Sequence, residues 1–388
     1  MSSGKPKAPV ADGPVARSVM IRGTSGQGLT ARRPASISKP SSVASVASIP
    51  VIHHDDNSTS SWNVNELPIV PPYFPLERTH VKVEKANGKD VAQRLVDSMR
   101  DASIAAVYSS EKAMASAETS DNVRFDVRLF QESATEESIV VEMQKRSGSC
   151  FGFHDAARAL LPAALGIESD SKPSGRRHAN LKSDDGPNID RLEEALDLSR
   201  SLLAKDRLDA NLLGMESLVH LTSTSSPEAK IYISRRILSG DDGITDVLMQ
   251  FIEEEFDDDE DDDEKADESH QAIMQRHSLC VLGNCLDTLD NDQELSGVMV
   301  KNDWIGDQLL KSLIKTVSDA SMKPHDAYEG ARGLNAMFRS SPRLKSKAKP
   351  LGLKQATITA LNEGLLRHAL LASETETLMK QIQSETEN

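Results

Sequence analysis

Eleven of the twelve residues in 253–264 are acidic, broken only by Phe256. Like charges at that density repel one another, and no core can absorb them. Whatever this chain folds into, the stretch after Phe256 is expected to be a loop, and the helical patterns on its two sides separate helices. The wider segment 241–268 holds 16 acids against one base, Lys265. That balance equals the net charge of the whole chain, −15, so the remaining residues are formally neutral. The acidity therefore describes one segment and not the whole surface.

Apolar residues make up 38% of the 388 positions and aromatic residues 4%. Both are low for one large globular body, which predicts unfolded segments. Residues 1–65 fit that expectation. They are rich in Ser, Ala, Pro and Gly, show no helix or strand period, and cannot bury enough apolar area to offset chain entropy. They read as a disordered tail. Their bases Lys5, Lys7, Arg17, Arg22, Arg32, Arg33 and Lys39 face only Asp12 before Asp55. An acid-poor, Arg- and Ser-containing start also fits an organelle transit peptide. The glycines Gly23, Gly26 and Gly28 precede no Lys-Ser/Thr pair and are not a phosphate loop. No secretory signal core and no run of 18 apolar residues occurs. Three cysteines, Cys150, Cys280 and Cys285, make no disulfide framework and fit a reducing compartment.

Residues 66–77 form a Pro-rich connector (LPIVPPYFP at its centre). It reads as an extended strap packed on the next domain or as a Pro-rich ligand for an aromatic groove. Residues 78–167 read as a small α+β domain, an antiparallel sheet with two helices on one face. Residues 79–84 alternate as a strand, and 90–112 carry apolar residues at helical spacing, including Ile104 and Val107. A weak strand is placed at 113–119. Val123, Phe125, Val127 and Leu129 share one face of a strictly alternating strand, residues 138–145 form another, and 151–165 an amphipathic helix. Residues 168–187 are a polar linker. From 188 to 388 the pattern is helical. Helices are expected at 189–204, 208–221, 227–238, 244–256, 271–289, 293–300, 307–321, 326–338 and 353–373, with a disordered acidic loop at 257–268. Asn188, Ser226 and Asp326 stand at N-cap positions. Residues 375–388 have little to bury.

Candidate chemistry is sparse. His53, His54, Asp55 and Asp56 could hold a metal, but lie in a tail with no further ligands. Cys280 and Cys285 stand five apart among Leu279, Val281, Leu282 and Leu286, which reads as core thiols. His154 and Asp155 open a helix, where Asp155 suits the helix dipole. Cys150 just before them has no visible orienting partner. No paired carboxylates, Gly-x-Ser-x-Gly, His-Glu-x-x-His or kinase catalytic loop occurs.

Two stretches resemble known families. Residues 123–129 (VRFDVRL), 139–149 (IVVEMQKRSGS) and the helix 153–165 make the small domain similar to the kinase-associated C-terminal domain of the microtubule-affinity-regulating kinases. The resemblance implies binding of acidic phospholipids, with Lys145 and Arg146 facing the anionic headgroup. It covers under a quarter of the chain, and this sequence carries no kinase catalytic loop for such a domain to restrain. The neighbouring acids Glu132, Glu136, Glu137 and Glu142 weaken the basic patch. The helical half resembles an armadillo-like repeat in residues 207–221, 276–289 and 328–338, and Asn284 falls near the Asn with which that family grips peptide backbone. The spacing is irregular. An irregular bundle in which Asn284 makes a local hydrogen bond is the other reading.

These observations predict a non-catalytic protein-binding scaffold or regulatory adaptor, cytoplasmic, or else nuclear, plastid or mitochondrial, with no cofactor and no metal. The alternative is a peripheral membrane adaptor that binds anionic phospholipid through the small domain. Residues 330–362 contain seven bases and no acid. Arg343, Lys345, Lys347 and Lys349, with Lys145 and Arg146, are the expected anion-binding residues, and Asn284 the expected peptide-binding one. Protein partners, and anionic lipid in the alternative, are expected ahead of nucleic acid.

Overall fold

The computed structural model describes residues 62–133, 136–167, 188–240, 243–253, 265–288 and 304–383. The tail through residue 61, the linker 168–187, acidic residues 257–264, the expected helix 293–300 and the last five residues lie outside them. So do the glycines and paired histidines of the tail.

Five strands form one antiparallel sheet: β1 (His80–Glu84), β2 (Ala105–Ser109), β3 (Met114–Glu118), β4 (Arg124–Ser133) and β5 (Glu136–Ser147), in the order β1-β5-β4-β3-β2. The strict alternation of β4 sets its facing, because strand side chains point to opposite faces in turn. Phe125, Val127 and Leu129 meet Val141 and Met143 of β5 in one core. Helices α1 (Gly88–Asp101) and α2 (Cys150–Ala164) give that core Val91, Leu95, Met99, Phe153, Ala157 and Leu160. The two helices are tied where Arg94 donates to the Ala164 carbonyl, 3.2 Å from Nε and 2.7 Å from Nη2. The α+β expectation therefore holds.

Helix α1 stops eleven residues short of the expected end at 112. Ser103 turns into the left-handed region (φ 54), and the Ile104 amide closes back on the Met99 carbonyl at 2.8 Å. That closure normally uses glycine. A serine in its place hides the stop signal, and Val107 belongs to β2. Asn87 caps the start by accepting from the Lys89 amide at 3.1 Å.

The connector is a strap. Val70 donates to Gln131 O and Gln131 donates to Pro68 O, both at 2.9 Å, so the strap extends the sheet beside the C-terminal half of β4. Phe74 packs on Phe130 with centroids 5.8 Å apart. Phe74 also closes a turn on Pro71, with Tyr73 at φ 64, so the strap is not one continuous polyproline helix. Trp62 and Val64, expected to belong to the disordered tail through 65, are packed. Both are buried in the sheet core, and Trp62 stacks on Tyr108 at 5.6 Å.

The second part is all helix among the described residues: α3 (Ile189–Leu203), α4 (Leu208–Thr222), α5 (Pro227–Ser239), α6 (Ile244–Glu253), α7 (Lys265–Leu286), a π turn (Trp304–Leu309), α8 (Leu310–Ser318), α9 (Pro324–Ser340), α10 (Pro342–Ala348), α11 (Leu353–Arg367) and α12 (Ala369–Gln383). Its core is a separate cluster centred on Met215, Ile233, Leu248, Leu282, Leu313 and Leu334. Asn188 and Ser226 cap α3 and α5 as expected, accepting from Arg191 N at 3.2 Å and Ala229 N at 3.3 Å. Residues 265–268, expected to belong to the acidic loop, are instead the start of α7.

Three other expectations need correction. The single helix expected at 353–373 is two helices, broken at His368, which is extended (φ −152, ψ 92). Gly364 permits the corner, since a Cβ there would meet the Ala372 backbone at 2.5 Å. The C-terminal segment does bury residues: Leu371, Thr375, Leu378 and Ile382 line the inner face of α12. Asp326 is not a cap. Pro324 starts α9 and Asp326 lies in its first turn, committed to an ion pair. No helix among the described residues is long and apolar enough to cross a membrane.

Candidate functional site: a buried junction and the surfaces it holds

The sheet and the helical part meet through a polar cluster that no local sequence pattern announces. Arg276 of α7 reaches Glu118 at the end of β3 at 2.5 Å and Asp326 of α9 at 2.9 Å. Its Nη1 also donates to Asn122 Oδ1 at 2.7 Å. Asn122 takes φ 58, which its short polar side chain tolerates, and its amide nitrogen lies 3.2 Å from His277 Nε2. Arg124 closes the far side of Glu118 at 2.9 Å. Burial opposes ionisation of Glu118, but the Arg276 and Arg124 guanidinium groups outweigh it and hold the carboxyl below its usual range. Lys323 donates to Gln275 at 2.9 Å, and burial lowers its affinity for the proton.

Two histidines complete the junction. His325 and His368 are 3% and 0% exposed, with ring centroids 4.9 Å apart. The Leu371 amide donates to His368 Nδ1 at 3.1 Å, so that nitrogen carries no proton. His368 Nε2–H then donates to His325 Nδ1 at 3.0 Å, and His325 Nε2–H donates to the Glu118 carbonyl at 3.0 Å. The partners fix both rings as neutral Nε2–H tautomers. Desolvation, with the Arg276 charge beside it, pushes His325 down to about 3. Desolvation, then the neighbouring His325 ring and the Arg276 charge, pushes His368 well below its ordinary value. A few residues along, the Leu370 amide donates to Ser103 Oγ of the sheet part at 2.9 Å.

The expected anion-binding residues fall in two places. Lys145 and Arg146 are exposed at the end of β5. Lys145 donates to the Gly148 carbonyl at 3.0 Å, and Arg146 Nε donates to Asp126 at 2.7 Å. Glu142 does not weaken that surface: it is 1% exposed and accepts from the Glu77 amide at 2.7 Å. Beside the pair, Phe151 is 85% exposed. A ring held out in water at the start of a helix escapes a reading that assigns apolar residues to the core.

On α10 and the turn after it, Arg343, Lys347 and Lys349 are exposed, with Lys347 3.2 Å from Asp307. Lys345 is buried, so it does not belong to that surface as expected. It lies on the helix face that also buries Leu344 and Ala348. Asn284 is buried as well. Its amide nitrogen donates to Thr222 Oγ1 at 3.1 Å, and its oxygen accepts from Arg332. Arg332 also pairs with Glu329 at 2.7 Å and Asp287 at 3.1 Å. The amide is therefore engaged on both ends inside the helical part and is not presented to a peptide.

Cys280 and Cys285 are buried core thiols, and burial pushes Cys285 up to about 12. Asp155 pairs with Arg158 at 2.9 Å on the surface of α2, and Cys150 is exposed. No group of three metal-ligating side chains gathers among the described residues. The first helices of the helical part leave Ile189, Leu198, Leu208 and Leu213 about half exposed, and Leu213 lines a groove of about 400 Å³ with Leu192, Glu216, His220 and Ile233. Compared with family models, curated proteins and solved structures, the chain matches none.

Proposed function

We propose that the protein is a non-catalytic protein-binding scaffold or regulatory adaptor, in which an armadillo-like helical part offers the docking face and the sheet part is fixed against it. The observation that carries the reading is the α3–α5 groove, where Leu213 is about half exposed and Leu192 and Leu221 are partly exposed. Partly exposed apolar side chains that line one groove mark interaction surfaces more often than singly scattered ones do. The groups most capable of chemistry, His325, His368, Arg276 and Cys285, are spent on one another or on the core, which favours binding over catalysis. The test is capture by in-cell cross-linking with the full chain and with Leu213→Asp. The variant keeps its melting temperature within a few degrees and loses the captured protein. An unchanged captured set removes the reading.

A second reading has its own observation. Phe151 stands out beside Lys145 and Arg146, the combination of an apolar anchor and basic residues that suits an anionic phospholipid surface. Co-sedimentation with phosphatidylserine vesicles at low salt tests it. Binding that is lost in both Phe151→Asp and Lys145→Glu/Arg146→Glu supports it, and absence of binding by the wild type removes it.

A further inference from the structure

We propose that the His325–His368 relay is an acid-sensitive clasp, whose protonation parts the sheet from the helical part while each remains folded. The relay has no room for an added proton. A proton on His368 Nδ1 would face the Leu371 amide hydrogen, and one on His325 Nδ1 would face the His368 Nε2 hydrogen. Each addition turns a hydrogen bond into two opposed donors at the 368–371 corner, inside the helical part, which presents the Leu370 amide to Ser103 of the sheet part. The charged surroundings add to this. From α7, Arg276 bears on both rings, and from α11, Arg367 bears on His368. On α9, Lys323 precedes His325, Asp326 is taken up by Arg276, and the Tyr328 ring lies 6.1 Å from that of His368. Glu118 of β3 is held by Arg276 and Arg124, and Glu363 by Arg367 at 2.8 Å. The nearby acids are thus already paired with arginines.

Opening the junction takes the Glu118 carbonyl off His325 and, by freeing the Leu370 amide from Ser103, loosens the corner around His368, and rings so freed take up protons near the ordinary histidine value of about 6.5. Closed, they do not. Two protons taken up only on opening raise the opening constant by up to about a hundredfold per pH unit below that value. Glu118 stays ionised over this range because its arginines hold it below the usual carboxylate range, so the ion pairs do not explain the same response. The two parts survive separation because their cores are separate clusters. The corner between α11 and α12 is where the clasp acts. His368 makes the break, and the Leu370 amide two residues on holds Ser103.

The experiment uses the full chain between pH 7.5 and pH 5. Small-angle scattering follows shape, far-ultraviolet circular dichroism follows helix, and ¹⁵N-histidine spectra follow the rings. The expected result is a rise in radius of gyration with the helical signal kept, over the same pH interval in which His325 and His368 leave the Nε2–H tautomer together. A His325→Asn/His368→Gln chain, which has no proton to take up there, stays closed over that interval. The proposal is overturned if that variant opens like the wild type, if the rings titrate without a change of shape, or if the shape changes only as helix is lost. Should the variant not fold, the wild-type ring and shape titrations decide by themselves.

Discussion

Arg276 and Glu118 stand 158 positions apart in the chain and 2.5 Å apart in space, with side chains 13% and 15% exposed. Two charges so placed have given up most of their hydration. Their attraction must offset that cost, and removing one partner strands the other.

Arg276→Met therefore leaves Glu118 and Asp326 buried without their shared cation. The expected loss is about 3–5 kcal/mol in urea unfolding. Glu118→Gln in the Arg276→Met background should cost far less than Glu118→Gln alone, because the stranded charge is gone. Additive losses in that cycle would mean that the two side chains do not act as a pair.

The alternation in β4 makes a contrast testable in neighbouring residues. Phe125 is buried against Phe153, with ring centroids 5.9 Å apart, so Phe125→Ala should cost about 3–5 kcal/mol. Arg124 points to the other face, where it pairs with Glu118 at 2.9 Å and is about one-third exposed. Arg124→Ala should cost about 1 kcal/mol or less. Chemical denaturation of both variants checks this, and equal losses would contradict the assigned facing.

That strand shows what the sequence discloses and what it hides. Period-two and period-3.6 patterns report which face of an element is buried, so β4, β5, α2 and most helices of the second part were readable, as were the caps Asn188 and Ser226. The same patterns say nothing about which face meets which. Arg276 reads as an ordinary helix-surface arginine and Asp326 as a cap, until the fold brings Glu118 between them. Lys345 was misplaced because a basic run looks exposed in one dimension, whereas Asn284, matched to a peptide-gripping residue by resemblance alone, makes the local hydrogen bond that was its other reading. His368 hid a helix break because the apolar spacing continues through it.

Stability should depend on pH in a direction the junction fixes. Both His325 and His368 have folded values pushed below the unfolded value of about 6.5. Above that pH the rings are neutral in both states, and they contribute no pH dependence. Below it the unfolded chain binds protons that the folded chain refuses, so stability falls as pH falls. With His325 lowered to about 3 while the junction is closed, the decline continues until the junction opens. Each ring contributes up to about 1.4 kcal/mol per pH unit. Urea midpoints at pH 7.5, 6.5, 5.5 and 5.0 measure the slope. A flat profile from pH 6.5 to 5.0 would contradict the neutral assignment of the rings.

Ser103 joins two effects of opposite sign. Its left-handed backbone favours glycine by about 1–2 kcal/mol, which argues for a gain in Ser103→Gly. Its hydroxyl, however, accepts the Leu370 amide across the junction, and leaving that donor unpaired costs about 1–3 kcal/mol. Ser103→Gly loses the acceptor and gains the backbone relief, so it should fall near neutral. Ser103→Ala loses the acceptor and keeps the strain, so it should be the less stable of the two by about 1–2 kcal/mol. Hydrogen exchange at the Leu370 amide separates the two effects, because both substitutions should speed it to the same extent while their unfolding midpoints differ. An alanine variant as stable as the glycine one would show that the turn carries no strain there. An unchanged Leu370 amide would show that the hydroxyl does not hold it.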